Sequence, residues 1–196
     1  DVYNIYKRYN LKMEPNLKHK KSLPIKKKDL IKTERLELKP YSENDIDTLI
    51  GMLTNSEITK FFMVPEFKTI DEVKAVARKL IEFSQIADTK HLEYGIYLDG
   101  NNIGFVNDCG IDGDEIEIGY VISPNYKGNG YATEAVKVVL KELKEMGFHR
   151  VVAGFFEDNQ ASYRVMTKCG FHLTEESEYE EYRGKKMKCY NCEILL

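Results

Sequence analysis

"EIEIGYVISPNYKGNGYATEAVKVVLKELKEMGFHRVVAGFF", residues 115–156, is the stretch on which the fold turns. Its opening "EIEIGYVI" reads as strand, residues 131–147 carry apolar side chains at helical spacing, and "RVVAGFF" (150–156) is strand again. A strand, a helix and a strand in that order make a right-handed crossover, which sets two parallel strands in one sheet. Between the first strand and the helix lies "NYKGNGYATEA" (125–135), with two glycines two apart at the mouth of the helix. A glycine there admits φ > 0 and lets a ligand approach main-chain N–H groups with no Cβ in the way. The first N–H groups of a helix lack internal partners and carry the positive end of its dipole. Together these features form a phosphate cradle. An isolated G-x-G fits a turn and an ordinary helix cap as well, so the surrounding pattern decides.

Upstream, "IKTERLELKPY" (31–41) alternates Leu36 and Leu38 with charged residues, a half-buried strand. Ser42, with Asp45 three residues on, opens a helix whose Ile46, Leu49, Ile50 and Leu53 recur at helical spacing. "TIDEVKAVARKLIEFSQIA" (69–87) is a second amphipathic helix, and residues 91–122 read as three strands broken by Asp-Gly and Gly-Asp turns. Downstream come the short helix of "QASYRVMTKCG" and strands at about 171–180 and 186–195 around "YRGKK" (182–186). The order β α α β β β α β α β β predicts an α/β (α+β) fold. Its mixed, mostly antiparallel sheet has about six to seven strands, with helices on both faces. No internal repeat or low-complexity linker divides the chain.

The bulk numbers agree with a soluble globular class: 196 residues, 42% hydrophobic and 31% charged. No apolar run approaches the ~20 residues of a membrane span, and no signal-peptide pattern precedes the fold. Cys109, Cys169, Cys189 and Cys192 show no disulfide-scaffold spacing. "CYNC" (189–192) sits in a strand, where residues three apart face opposite sides, so reduced thiols and no metal are expected. The four histidines show no ligand spacing. Residues 1–30 hold nine Lys/Arg against three Asp/Glu, while the rest of the chain is acidic. Such a basic arm reads as a solvated tail; its "KHKK" and "KKK" lack the interleaved aromatics of a single-strand nucleic-acid platform.

"EIGYVISPNYKGNGYATEAV" followed by "HRVVAGFFEDNQASYRVMTKCGF" resembles the GNAT superfamily of acyl-CoA N-acyltransferases, most closely its RimJ/RimL-type branch. The resemblance covers roughly residues 31–196 and leaves 1–30 outside as a basic arm. It implies that acetyl-CoA is the co-substrate, with no metal. Its pyrophosphate would lie on the backbone of Lys127, Gly128, Asn129, Gly130, Tyr131 and Ala132, with Thr133 at the helix start. Asn125 stands where the superfamily often has Gln or Arg. The resemblance further implies that the strand before the loop splays from the strand after the helix. Pantetheine would then bond main chain near Val121 and Ile122. Asn159 and Ser162 match the "NxxS" of this branch, with Asn159 on pantetheine or substrate and the Ser162 hydroxyl near the coenzyme sulfur.

Acyl transfer from a thioester to an amine needs a neutral amine, donors for the developing oxyanion and a proton for the leaving thiolate. Glu117, on a strand expected to be central, is the candidate base; a cross-sheet ion pair is its structural alternative. Backbone N–H groups around Ile118 to Val121, freed by a bulge, would hold the thioester oxygen. Many superfamily members place a tyrosine four residues after the Ser162 position. Here it is Met166, which cannot donate a proton, and Tyr163 faces another side of its helix.

The resulting expectation is a cytoplasmic acetyltransferase that moves acetyl from acetyl-CoA to a primary amine by direct attack. The acceptor is a protein N-terminus or a small cationic amine, with no membrane and no nucleic acid as partner and a homodimer left open. The alternative is a catalytically degenerate CoA-binding module. Acidic clusters at 108–117 and 174–181 predict that the acceptor is cationic.

Overall fold

The computed structural model describes residues 21–196. Eight strands form one sheet in the order β1-β2-β3-β4-β5-β6-β8-β7, one or two more than the sequence predicts. The extra one arises because the expected strand at 31–41 is broken: β1 (Ile31–Lys32) and β2 (Glu37–Lys39) pair antiparallel across a turn closed by Thr33 N–H to Leu36 O at 2.9 Å. Helices α1 (Ile46–Thr54), α2 (Ser56–Thr59) and α3 (Ile70–Gln85) follow, then the meander β3 (Glu93–Leu98), β4 (Asn101–Asp112) and β5 (Glu115–Ile122). Helix α4 (Tyr131–Glu145) crosses to β6 (Arg150–Phe156), and α5 (Gln160–Lys168) leads into the hairpin of β7 (His172–Tyr182) and β8 (Lys185–Leu195). All neighbours are antiparallel except β5 and β6.

Side-chain alternation on the central strands divides the core between two faces. Phe105 and Val121, opposite one another in register, pack with Leu49, Leu53, Val73, Ala77, Leu80 and Ile81 of α1 and α3. Val106, Ile116, Ile118 and Ile122 point the other way, onto Val136, Val139, Leu140 and Leu143 of α4. The helices therefore lie on both faces. Ser42 and Asp45 cap the entry to α1 reciprocally, and Thr69 Oγ1 caps α3 through Glu72 N–H. No helix of the described residues is long and apolar enough to cross a membrane.

The basic arm falls mostly in residues 1–20, outside the described residues. Its last ten residues are docked on the fold, unlike the solvated tail the charge pattern suggests. Ile25 is fully buried and bonds Thr89 through both backbone and bridge, and Leu23 N–H reaches Gly113 O at 3.1 Å. Lys28 pairs with Glu142 at 2.9 Å and Glu145 at 3.2 Å on α4. The charge run hid an apolar anchor, because one buried residue, Ile25, and one partly buried one, Leu23, among many lysines carry no periodicity.

Candidate functional site

The parallel ladder between β5 and β6 lasts three residue pairs, Glu115↔Arg150, Ile116↔Val151 and Glu117↔Val152. Beyond Val152, β6 stays paired with β8 as far as Phe156↔Cys189, while β5 stays paired with β4. The two strands therefore diverge, and a cavity of about 380 Å³ opens between them.

One end of this cavity is the glycine loop. Gly128 has φ +79° and Gly130 φ +80°, left-handed values that favour glycine. The first i→i−4 bond of α4 is Glu134 N–H to Gly130 O at 3.1 Å, so the N–H groups of Tyr131, Ala132 and Thr133 have no intrahelical partner. Asn129 turns inward: its Nδ2 donates to Tyr126 O and Lys127 O, both at 3.1 Å, which closes the loop on itself. Lys127, Gly128, Gly130, Tyr131, Ala132 and Thr133 line the cavity, whereas the Asn129 side chain does not. A Cβ at Gly128 would meet nothing within 4 Å; the conformation of the backbone, rather than crowding, selects glycine there.

Arg35, at the turn between β1 and β2, braces this loop from behind, a part for which the sequence offers no motif. Its guanidinium donates to Glu134 Oε2 at 2.7 and 2.8 Å and to Asn129 O at 2.9 Å, and stacks over the Tyr131 ring at 4.6 Å. Thr33 Oγ1 donates to Glu134 Oε1 at 2.6 Å. Burial raises the Glu134 pKa, but the Thr33, Arg35 backbone and Arg35 side-chain bonds together outweigh it and hold the carboxyl below its usual value.

The far wall comes from the start of α5. Asn159 Oδ1 accepts Ser162 N–H at 3.3 Å as the helix N-cap, and both residues line the cavity. Ser162 Oγ lies 2.8 Å from the hydroxyl of Tyr120, which also reaches Ser162 O at 3.2 Å. Burial pushes the Tyr120 phenol far above its ordinary pKa, so it stays protonated. Met166 is buried in the core, and Tyr163 stacks on Phe155 at 5.1 Å, outside the cavity. Tyr120 is thus the phenol at this position. It escaped the sequence reading because it comes from β5, far from Ser162 in the chain.

Val121 and Ile122 both line the cavity, but their backbones face opposite ways. Ser123 N–H bonds Ile103 O on β4, so by alternation Gly119 and Val121 also turn their main chain to β4. Ile118, Tyr120 and Ile122 turn theirs to the gap. The expected bulge exists, but on β4: the register shifts between Asp108 and Gly110, opposite Glu117 and Ile118. It is the divergence from β6, then, that frees main-chain groups of β5.

Glu117 does not line this cavity. It stands in an adjoining one of about 220 Å³, which shares Phe61, Phe62, Gly119 and Gly154 with the first. Two residues earlier on the same face, Glu115 pairs with Arg150 at 3.3 Å; Glu117 enters no ion pair among the described residues. Burial first, then the charges of Glu180, Glu178 and Asp108, raise its pKa. Phe61, Phe62 and Met63, from the segment after α2, wall both cavities or the second alone. The end of α2 and that segment are fastened to the last hairpin by the Tyr182 hydroxyl, which donates to Thr59 O and accepts Val64 N–H at 3.4 Å.

A model of the acetyltransferase (GNAT) domain matches residues 35–172. The chain belongs to this family. As a GNAT protein it is 27% identical over 148 residues to the uncharacterized N-acetyltransferase YoaA of Bacillus subtilis, across 72% of this chain and 82% of that one. Among solved structures, a GNAT-family acetyltransferase from Bacillus anthracis is 26% identical, with a TM-score of 0.70 over 85% of this chain and 98% of its own. RimL, a ribosomal L7/L12 α-N-protein acetyltransferase solved with coenzyme A, is 17% identical with a TM-score of 0.70, over 90% and 98% of the two chains. Spermidine N-acetyltransferase from Vibrio cholerae, solved with CoA and spermine, is 19% identical with a TM-score of 0.70, over 83% and 96%. At such identities these last two share the GNAT fold with this chain and define no acceptor for it.

Proposed function

We propose that this GNAT acetyltransferase transfers acetyl from acetyl-CoA to a primary amine by direct attack, on the RimJ/RimL-type pattern. The observation that carries the reading is the divergence of β5 from β6, with a phosphate cradle at one end of the gap and half-buried Glu117 beside the other. Acetyl-CoA supplies the activated acetyl thioester. Its pyrophosphate is held by the loop of Lys127 to Gly130 and by the first N–H groups of α4, braced by Arg35. Pantetheine lies along the main chain of Tyr120 and Ile122, against Val121 and Asn159. Glu117, its pKa raised by burial, takes the proton from the incoming ammonium. Main-chain N–H groups on the freed edge of β5 stabilise the carbonyl oxygen as it gains charge. Ser162, positioned by Tyr120, provides the hydroxyl for the departing thiolate, the part Met166 cannot take.

The test is turnover with a panel of amines, read by mass spectrometry of the acetylated product, in the native chain and in Glu117→Gln. A general base contributes ~10²–10⁴-fold, so kcat should fall by that order while acetyl-CoA affinity holds. Wild-type kcat in the variant from pH 6 to 9 would remove Glu117 from the chemistry. Acetyl-CoA binding with no turnover of any amine would favour the degenerate CoA-binding module instead.

A further inference from the structure

The cavity beside Glu117 has an unusual lining. Glu117 of β5 and Glu178 and Glu180 of β7 face it, and none of the three pairs with a cation among the described residues. Glu117 and Glu180 are half-buried and Glu178 is exposed, so the carboxylates run from the interior to the rim. Among the described residues, no Lys, Arg or His lines the cavity. Asp108 also reaches it, but its carboxylate is engaged by Leu92 N–H at 2.8 Å and by His91 at 3.5 Å.

A second observation is independent of charge. Asn107, 4% exposed, lines the same cavity, and its Oδ1 has no hydrogen-bond partner among the described residues. That oxygen lies beside Gly119, at 3.2 Å from where a Cβ there would stand. A buried acceptor without a donor is costly and calls for one from a ligand. The unpaired carboxylates and this oxygen are all acceptors, which a partner with N–H donors and positive charge would satisfy.

The geometry also limits the ligand's shape. Among the described residues, no three Asp, Glu, His or Cys side chains converge enough to hold one metal ion. Separated carboxylates suit separated charges on one chain. Between them stand the apolar walls of Phe61, Met63 and Phe156, which suit methylenes. The volume, about 220 Å³, is below the ~300–1,000 Å³ of drug-sized ligand sites.

We propose that this cavity takes a short aliphatic di- or polyamine, its reacting primary amine at Glu117 and Asn107 and its second ammonium at Glu178 and Glu180. The proposal rests on the acetyltransferase reading for which amine reacts. In that step the amine nitrogen forms a bond to the acetyl carbon as the C–S bond breaks. The ammonium gives up two protons: one passes to Glu117 before attack and on to solvent, and the other leaves nitrogen as the amide forms, balanced by protonation of the departing thiolate. The second ammonium is unchanged in the product.

Binding is testable without turnover, by calorimetry of the full chain with 1,4-diaminobutane, n-butylamine and a lysine-rich peptide with a free N-terminus. The diamine is expected to bind at least ~10-fold more tightly than the monoamine, a preference of about 1.4 kcal/mol. Glu178→Gln combined with Glu180→Gln should erase most of that preference, with acetyl-CoA affinity as the control for folding. In turnover, the same double variant should raise KM for the diamine by a similar factor. Equal affinity for the two amines, a preference that survives the double variant, or tighter binding of the peptide would each overturn the proposal. Absence of turnover with every amine, beside intact diamine binding, would instead defeat the acetyltransferase reading alone.

Discussion

In its proposed role as base, Glu117 shows at the scale of one residue how function and stability oppose each other. Burial foremost, and after it Glu180, Glu178 and Asp108, make its ionised form unfavourable in the folded chain. The folded pKa lies above the unfolded value, so the folded state holds the proton more tightly. Ionisation therefore works against folding: the penalty grows as pH rises from the ordinary carboxylate pKa and is complete above the raised one. Glu117→Gln should raise the melting temperature at pH 8 while it lowers kcat; a lower melting temperature would mean that the charge is compensated. The proposed role as base requires Glu117 ionised, so the acid limb of kcat/KM should follow its raised pKa. Among the described residues, the other titratable groups facing it are Cys109 and Cys189, the latter's thiol pushed up to about 12 by burial and the neighbouring carboxylates, hence neutral. Removing one carboxylate with Glu180→Gln should then shift that limb to lower pH. A limb that stays or moves up would assign it to another group.

Among the elements, the seam between β4 and β5 depends on a close approach. A Cβ on Gly104 would stand 2.1 Å from Val121 O, a backbone atom that cannot swing aside. Gly104→Ala should push β4 from β5 at the glycine-loop end of the gap, with the ~1–3 kcal/mol loss typical of overpacking. Chemical denaturation would measure it, and an unchanged midpoint would show that the strands have slack. Sequence periodicity made most elements legible. Leu49, Leu53, Val73 and Leu80 announce α1 and α3, the Asp-Gly turns announce the meander, and residues 115–156 announce the crossover. Periodicity did not reveal β1 as separate from β2, because two-residue strands have no period. It missed α2, whose four residues show less than two turns. Nor does any local pattern expose the orphan oxygen of Asn107, the brace from Arg35 or the contact of Tyr120 with Ser162. Each of these depends on which residues the sheet order brings together.

Across the whole molecule, β5 and β6 join the two halves of the sheet through three residue pairs. On one side stand five strands with the helices α1 to α3, on the other β6 and the last hairpin. Tyr182, the contact of Tyr120 with Ser162 and the packing of α4 across both halves are further ties. The open edge of β5 has a readable consequence in amide hydrogen exchange. In the free protein, Gly119 and Val121 should exchange slowly, since their N–H groups face β4. Ile118, Tyr120 and Ile122, facing the gap, should exchange fast, so that protection alternates residue by residue along one strand. A ligand chain lying in the gap would then serve as a missing strand, and its arrival should erase the alternation by slowing the even-numbered amides alone.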